Sequence, residues 1–228
     1  MTNSTVQIVE DIMGANDQVA LTNRKILDDA GIFGINIMAS PGAGKTSTIL
    51  ATVDALSDKF KIAVIEGDTA AVTIDSDKVK AKGIPAVQIN TGGACHLNAP
   101  IITQGINALD LTGLDLVIVE NVGNLVCPAG VDLGMHVNVV IASIPEGDDK
   151  PYKYPKIYRG IDVIIINKID LMPYLDFNMD YFLKGLEMLN PGLENFQISA
   201  KTGEGVNNWA AWIESKIQEK SSKQQFPD

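Results

Sequence analysis

The chain has 228 residues, of which 46% are hydrophobic and 20% charged, and its formal net charge is −10 at pH 7. This length and composition indicate a globular chain with one large core, and the negative charge argues against nucleic acid as a main partner. No apolar run is long enough to span a bilayer and no signal sequence follows Met1, so we expect a cytoplasmic protein without membrane contact.

The first thirty residues predict one or two helices. Residues 6–30 are polar with spaced apolar positions, with Asp17 as a possible N-cap and Gly31 as the helix stop. We expect a helical extension over residues 1–30, a main domain over residues 31–220 and a frayed polar tail over residues 221–228.

From residue 34 onward, apolar β-branched runs alternate with helical stretches. The predicted strands are Gly34–Met38, Ile62–Ile65, Ala86–Ile89, Leu116–Val119, Val137–Ala142, Val163–Ile166 and Phe196–Ile198. This pattern predicts an α/β fold in which a mostly parallel, seven-stranded sheet carries helices on both faces, with the N-terminal helices added. Ligands of such sheets bind outside the carboxyl ends of the strands, where each motif below begins.

The segment after the first predicted strand reads ASPGAGKT from Ala39 to Thr46, and a helix is predicted from Ser47. This is the setting of a phosphate-binding loop (P-loop), although Ala39 replaces the usual first glycine. Lys45 supplies a cation for the outer phosphates, and the Thr46 hydroxyl supplies a ligand for Mg²⁺. A glycine-rich turn that binds nothing is the alternative. The predicted phosphate-binding residues are Gly42, Ala43, Gly44, Lys45, Thr46 and Ser47.

The tetrapeptide Asn167-Lys168-Ile169-Asp170 follows the sixth predicted strand. The Asp170 carboxylate can accept hydrogen bonds from the ring N–H and exocyclic amine of guanine, a pair of donors that adenine lacks. The Lys168 stem can stack on the base, and Ser199-Ala200-Lys201 would close over it. By itself the tetrapeptide could be a simple exit from a strand, but after a phosphate loop it predicts binding of GTP and GDP by a P-loop GTPase domain.

Acidic residues follow the predicted strands on the phosphate-loop side. Glu120 and Asp75 are the predicted sensors of the γ-phosphate and its Mg²⁺, and Asp68 supports them, since Mg²⁺ requires oxygen ligands. Together with Thr46 they form the predicted Mg²⁺ set, and Lys45, Asp75 and Glu120 form the predicted catalytic set. Each acid could instead be a solvated loop residue.

Two features predict slow GTP hydrolysis. No glutamine lies next to Gly123, where many GTPases position the attacking water, and Arg24 and Arg159 are the only arginines. We therefore expect a nucleotide switch rather than a fast hydrolase.

Three of the four cysteine and histidine residues follow two of the predicted strands. Cys95 and His96 are adjacent, and Cys127 follows the Glu120–Gly123 segment. Thiolate and imidazole suit Ni²⁺ or Zn²⁺, so these residues predict a metal site, although buried structural cysteines are the alternative. His136 lacks such a setting and is expected to be structural.

The order and wording of these motifs resemble the HypB-type nickel-insertion GTPases that mature nickel–iron hydrogenases. The most specific segments are residues 90–97, 120–129 (ENVGNLVCPA) and 146–155 (EGDDKPYKYP), and the resemblance spans residues 16–217. It implies a SIMIBI-class GTPase fold, a homodimer when GTP is bound, and a second nickel chaperone and the hydrogenase large subunit as partners. It also implies a nickel or zinc site at the dimer interface, formed by Cys95, His96 and Cys127.

By the same resemblance, nucleotide and Mg²⁺ are assigned to the matching positions Lys45, Thr46, Asp75, Glu120, Asn167 and Asp170. Some positions depart from the family pattern. Asn98 stands where Asp is frequent, Met135 stands where an acid is common, and the stretch from Asp68 to Asp75 is about one residue longer than expected. Since Cys95 and His96 are the first of their kind in the chain, we expect metal binding through the GTPase domain alone and no nickel storage.

The resulting hypothesis is that GTP positions the Glu120–Gly123 segment, orders the dimer and moves Cys127, so that hydrolysis gates metal transfer. Lys153, in a polar segment predicted to be extended, is expected to reach a nucleotide across the dimer. The alternatives are a metal-binding scaffold with a vestigial GTPase, a related maturation GTPase serving urease or a cobalamin enzyme, and a regulatory GTPase without metal.

Overall fold

A parallel sheet forms the centre of the molecule. The computed structural model describes residues 4–68, 79 and 81–225, and for residues 4–13 and 223–225 it describes the backbone alone. In these ranges the strands are β1 (Phe33–Ala39), β2 (Ile62–Asp68), β3 (Ala86–Asn90), β4 (Leu116–Glu120), β5 (Val137–Ser143), β6 (Val163–Asn167) and β7 (Glu194–Gln197). They pair in the order β3-β2-β4-β1-β5-β6-β7, and every pair is parallel. The seven predicted strands are thus confirmed.

Seven helices connect and flank the strands in the described ranges: α1 (Ser4–Asp29), α2 (Lys45–Leu56), α3 (Ala99–Asn107), α4 (Lys150–Lys153), α5 (Pro155–Arg159), α6 (Met179–Leu189) and α7 (Val206–Gln225). Short 3-10 turns cover Ile144–Glu146 and Ile169–Tyr174. None of these helices is both long and apolar enough to cross a lipid bilayer.

The N-terminal extension is one helix rather than two. Asp17 lies inside α1 with its side chain exposed, so its prediction as an N-cap was wrong, whereas Gly31 does follow the helix with a φ of 75°. At the other end, α7 continues through Gln225, into the part predicted to be frayed. Residues 226–228 lie outside the described ranges.

Helices cover both faces of the sheet, which is why the central strands are mostly apolar, whereas the edge strand β7 is largely exposed. Helices α2 and α7 pack on one face, where Trp209 is fully buried and its Nε1 donates to Thr52 Oγ1 at 3.0 Å. On the other face, α1 and α3 cover β2 and β4, while α5 and α6 cover β5 and β6. The phosphate loop therefore directly follows β1, a central strand that is buried along its whole length.

A polar cluster closes the amino end of β1 and β5. Gly34 N donates to His136 Nδ1 at 2.8 Å, and His136 Nε2 lies 2.9 Å from Asp28 Oδ1 on α1. Lys220 of α7 donates to the same carboxylate, and Arg24 donates to carbonyls of the loop before β5. Burial lowers the pKa of His136 to about 4. His136, expected to be structural, thus links the first and last helices to the sheet.

Candidate functional site

A cavity of about 670 Å³ opens at the carboxyl ends of β1, β2 and β4, and the phosphate-loop segment forms one wall. Gly42 and Gly44 adopt φ values of 77° and 99°, which non-glycine residues rarely take. A Cβ at Gly44 would lie 2.4 Å from Asn167 Nδ2, so this position requires glycine for space as well. Lys168 is the only described non-glycine residue with positive φ, so Ala39 is compatible with the loop as predicted.

Of the predicted phosphate and Mg²⁺ residues that the structure describes, all but the buried Ala43 line this cavity. Lys45, Thr46 and Ser47 line it at the start of α2, and Thr46 Oγ1 donates to Glu120 Oε1 at 3.0 Å. Asp68 and the buried Glu66, at the end of β2, line the same cavity. This set of hydroxyl and carboxylate oxygens fits the donors that Mg²⁺ prefers. Asp75, the remaining predicted ligand, lies outside the described residues.

A second cavity of about 400 Å³ adjoins the first and shares Gly44, Ser47 and Lys168 with it. Its other lining residues are Asn167, Asp170, Leu171, Ala200 and Lys201. Buried Ser199 donates from Oγ to Asp170 Oδ1 at 2.6 Å, which fixes the carboxylate. A fixed acceptor beside a cavity is the arrangement that the predicted guanine contact requires.

The Asn167 carboxamide joins three segments around the two cavities. Its Nδ2 donates to Ala43 O of the phosphate loop at 3.0 Å, and its Oδ1 accepts from Lys168 N at 2.7 Å and Ala200 N at 3.1 Å. Lys168 Nζ donates in turn to Gly42 O at 2.6 Å. The phosphate loop and both base segments are therefore held in a fixed relation to one another.

Cys95, His96 and Cys127 converge as predicted. Their ligand atoms all lie within 4.8 Å of one another, and Cys95 Sγ lies 3.6 Å from His96 Nδ1. A hydrogen bond with the Cys127 side chain raises the pKa of Cys95, because it favours the protonated thiol, and a bound cation would favour the thiolates instead. Cys95 also lines the larger cavity, so the cluster and the phosphate loop border one space.

Lys153 does not line either cavity. The segment from Glu146 to Pro155 is folded into helical turns rather than extended as predicted, and Lys153 forms an exposed ion pair with Asp149. Gly185 on α6 makes this fold possible, because a Cβ there would lie 2.8 Å from the Tyr152 ring. The pair raises the pKa of Lys153 and lowers that of Asp149.

Two asparagines near the metal-ligand cluster were not predicted as site residues from the sequence. Asn121 accepts hydrogen bonds from Leu97 N and Val122 N, and Asn124 accepts them from Val126 N and Cys127 N. The available signal was a polar residue directly after a buried strand. Asn98 caps α3 by accepting from Ile101 N, a role that asparagine and aspartate both perform well.

Comparisons with known proteins agree over most of the chain. The sequence profile of the CobW/HypB/UreG nucleotide-binding domain matches residues 34–197. Hydrogenase maturation factor HypB of Azotobacter vinelandii is 43% identical over 209 residues, which cover 92% of this chain and 69% of that protein. The probable hydrogenase maturation factor HypB of Methanocaldococcus jannaschii is 39% identical over 214 residues, covering 94% of this chain and 96% of that one.

Solved structures of similar proteins share the fold. The crystal structure of HypB from Helicobacter pylori in complex with nickel has a TM-score of 0.86 and 36% identity, covering 90% of this chain and 96% of that chain. The crystal structure of hydrogenase maturation factor HypB from Archaeoglobus fulgidus has a TM-score of 0.83 and 34% identity, covering 90% of this chain and 99% of that one. Identity and coverage at this level indicate a shared family as well as a shared topology.

Proposed function

The chain belongs to the HypB family of hydrogenase maturation factors, and from this premise we propose that it is a GTP-dependent metallochaperone. In this proposal, binding and slow hydrolysis of GTP gate the delivery of nickel to a nickel–iron hydrogenase. The observation that carries the proposal is the position of Cys95, which belongs to the three-ligand cluster and also lines the cavity of the phosphate loop.

The nucleotide is proposed to bind across both cavities. Lys45 and the N–H groups from Gly42 to Ser47 hold the phosphates, because they combine positive charge with the start of a helix. Asp170 accepts from guanine, while Lys168, Ser199, Ala200 and Lys201 frame the base. Thr46, Asp68 and Glu120, with Asp75, are the proposed holders of Mg²⁺, which when bound supplies positive charge beside the phosphates.

Nickel or zinc is the proposed cargo of Cys95, His96 and Cys127. Two thiolates and one imidazole are donors that both metals accept, and the nickel complex of the Helicobacter pylori relative supports nickel. Three ligands leave a position for water, a second protomer or a receiving protein. We keep as proposals the GTP-dependent homodimer, the reach of Lys153 across it, and docking to a second nickel chaperone and the hydrogenase large subunit. A cytoplasmic location stays a prediction from the sequence.

The test is metal titration in defined nucleotide states. Protein loaded with Mg²⁺-GDP or with Mg²⁺ and a non-hydrolysable GTP analogue is titrated with Ni²⁺ and with Zn²⁺, while light scattering reports its mass. We expect metal affinity to differ between the two states and the analogue to favour the dimer. Cys127→Ala is expected to weaken metal binding by roughly 100-fold or more, since it removes a ligand outright.

Val126→Ala is the matched control, because Val126 is exposed beside Cys127 and offers no ligand atom. It should leave metal affinity unchanged. Equal metal affinity in both nucleotide states would favour the metal-binding scaffold with a vestigial GTPase. An unchanged metal titration of Cys127→Ala would instead favour the regulatory GTPase that has no metal site at these residues.

A further inference from the structure

One side-chain oxygen is shared by two segments that the proposed function requires to move together. Asn121 Oδ1 accepts from Leu97 N at 3.1 Å and from Val122 N at 2.9 Å, and its side chain is 2% exposed. Leu97 directly follows the ligand pair Cys95-His96, and Val122 precedes Gly123 in the segment after β4. A shift of either backbone segment therefore acts on the same buried atom.

A row of amides holds the orientation of this side chain. Asn121 Nδ2 donates to Asn36 Oδ1 at 3.3 Å, and Asn36 Nδ2 donates to Asn138 Oδ1 at 2.9 Å. Two backbone N–H groups require an acceptor, so only the oxygen of Asn121 can face Leu97 and Val122. Because the row is anchored on β1 and β5, Asn121 has a fixed support on the sheet.

Both segments joined by Asn121 press against the nucleotide cavity. A Cβ at Gly123 would lie 3.3 Å from Pro41 N and Cα, so Gly123 rests on the backbone of the phosphate loop. A Cβ at Gly67 would lie 2.7 Å from the side chain of Leu97, which therefore sits directly on the end of β2. A movement of the phosphate loop or of the end of β2 would therefore reach Asn121 through packed atoms, by way of Gly123 in the first case and Leu97 in the second.

Asn124 has a different role in the same segment. Its Oδ1 accepts from Val126 N at 2.8 Å and Cys127 N at 3.3 Å, and its Nδ2 donates to Cys95 O at 3.4 Å. These bonds join the two ligand-bearing loops to each other. Asn121 instead joins one of those loops to the segment that rests on the phosphate loop.

We propose that Asn121 is a positioning residue that transmits the nucleotide state to the metal-ligand pair Cys95-His96. This inference rests on the proposed function. In that function the nucleotide state reaches Cys127 directly along the chain from the Glu120–Gly123 segment, and Asn121 adds a second connection, to Cys95 and His96, through the backbone of Leu97. Asn121 also lines the larger cavity, but in this role it acts by holding the Leu97 and Val122 backbones at a fixed distance from each other.

The test compares the ratio of the Ni²⁺ dissociation constants in the Mg²⁺-GDP and Mg²⁺-GTP-analogue states. Asn121→Ala is expected to move this ratio at least about threefold toward one while Ni²⁺ still binds, because the route through Leu97 is lost and only the chain connection to Cys127 remains. Asn121→Asp keeps an acceptor for both N–H groups and is expected to retain the nucleotide dependence. Asn23→Ala is the matched control.

Asn23 is fully buried and also makes three hydrogen bonds, to Ala99 O, Leu133 O and Thr103 Oγ1, but none of these bonds goes to Leu97 or Val122. This variant should lower thermal stability about as much as Asn121→Ala and keep the wild-type ratio. A loss of the ratio in Asn23→Ala equal to that in Asn121→Ala would overturn the inference, because general destabilisation would then explain both.

A measurement on the unaltered protein covers the case in which Asn121→Ala does not fold. Hydrogen exchange of the Leu97 amide is expected to change at least about tenfold between the two nucleotide states, and an unchanged rate would overturn the inference. If the wild-type Ni²⁺ ratio is one, the proposed gating fails as well. If the wild-type ratio departs from one and Asn121→Ala keeps it, the role of Asn121 alone fails.

Discussion

The two ends of the sheet use polar residues in opposite ways. At the amino end, Asp28, His136 and Lys220 bond to one another and tie α1 and α7 to the sheet. At the carboxyl end, Thr46 and Glu120 bond to each other but face a cavity of about 670 Å³. The comparison indicates that the first end maintains the fold and the second is shaped for ligands. Changes at the two ends should therefore have separable effects on stability and on binding.

The largest expected effect lies at the ligand end and concerns base recognition. Asp170→Asn removes the charged acceptor for two guanine donors, which we expect to weaken GTP binding by about 3–4 kcal/mol, or several hundredfold. The asparagine amide can donate to the carbonyl of xanthine, so affinity for xanthosine triphosphate should rise. Titration calorimetry with both nucleotides measures the change.

Asp176→Asn is the control for this charge change, since Asp176 is exposed and lines neither cavity. It should bind GTP as the wild type does. A large loss of thermal stability in Asp170→Asn would contradict the comparison, because a change at the carboxyl end of the sheet would then affect stability as well as binding.

The next effect lies at the amino end and concerns acid stability. His136 has a pKa of about 4 in the folded protein, against 6.5 for an ordinary histidine, so the unfolded chain binds this proton first as the pH falls. The free energy of unfolding should therefore drop between about pH 6.5 and pH 4, by up to about 3 kcal/mol from this group. Asp28, whose pKa is lowered through its bonds to Lys220 and His136 against the opposing effect of burial, adds a loss near and below pH 4.

Denaturant unfolding at a series of pH values checks this prediction. His136→Gln removes the titrating ring and should flatten the curve above pH 4, at a lower plateau near neutrality because the buried bonds are lost. A curve for His136→Gln that is as steep as the wild type would assign the acid loss to other groups.

The smallest effect on the fold is expected on the surface between these ends. The ion pair of Lys153 and Asp149 is solvent-exposed, so Lys153→Ala should leave the melting temperature within measurement error. The same variant should weaken dimerisation driven by the GTP analogue if Lys153 reaches the partner nucleotide. Light scattering compares it with Lys156→Ala, an exposed control on α5; equal dimerisation in both variants would remove Lys153 from the proposed site.

The central strands were predictable because they are mostly apolar runs, and the motifs at their ends were predicted to meet because parallel strands bring such ends together. The glycine-rich turn, the segment after β6 and the approach of Cys95, His96 and Cys127 to one another were therefore predictable from local sequence, while their binding roles stay predictions. Asp17 was assigned to a helix start because an exposed acid inside a helix has the same local pattern as an N-cap.

The remaining features depend on contacts between distant residues. The segment containing Lys153 is rich in proline and polar residues, and it folds because Tyr152 packs on Gly185 of α6. Asn121 acts through the N–H of Leu97, 24 positions earlier in the chain, and its partner was not evident from neighbouring residues. Such long-range hydrogen bonds have no periodic pattern, so sequence periodicity could not reveal them.

The bond between Lys220 and Asp28 has a consequence for the order in which the protein can be made. These residues are 192 positions apart, and β1, the first strand to be translated, lies in the middle of the sheet between β4 and β5. A nascent chain that leaves the ribosome N-terminus first must hold β1 without its two neighbouring strands until β5 has been translated. The bond from Lys220 to α1 forms later still, so α7 completes the anchoring of α1 only after the sheet strands have been made.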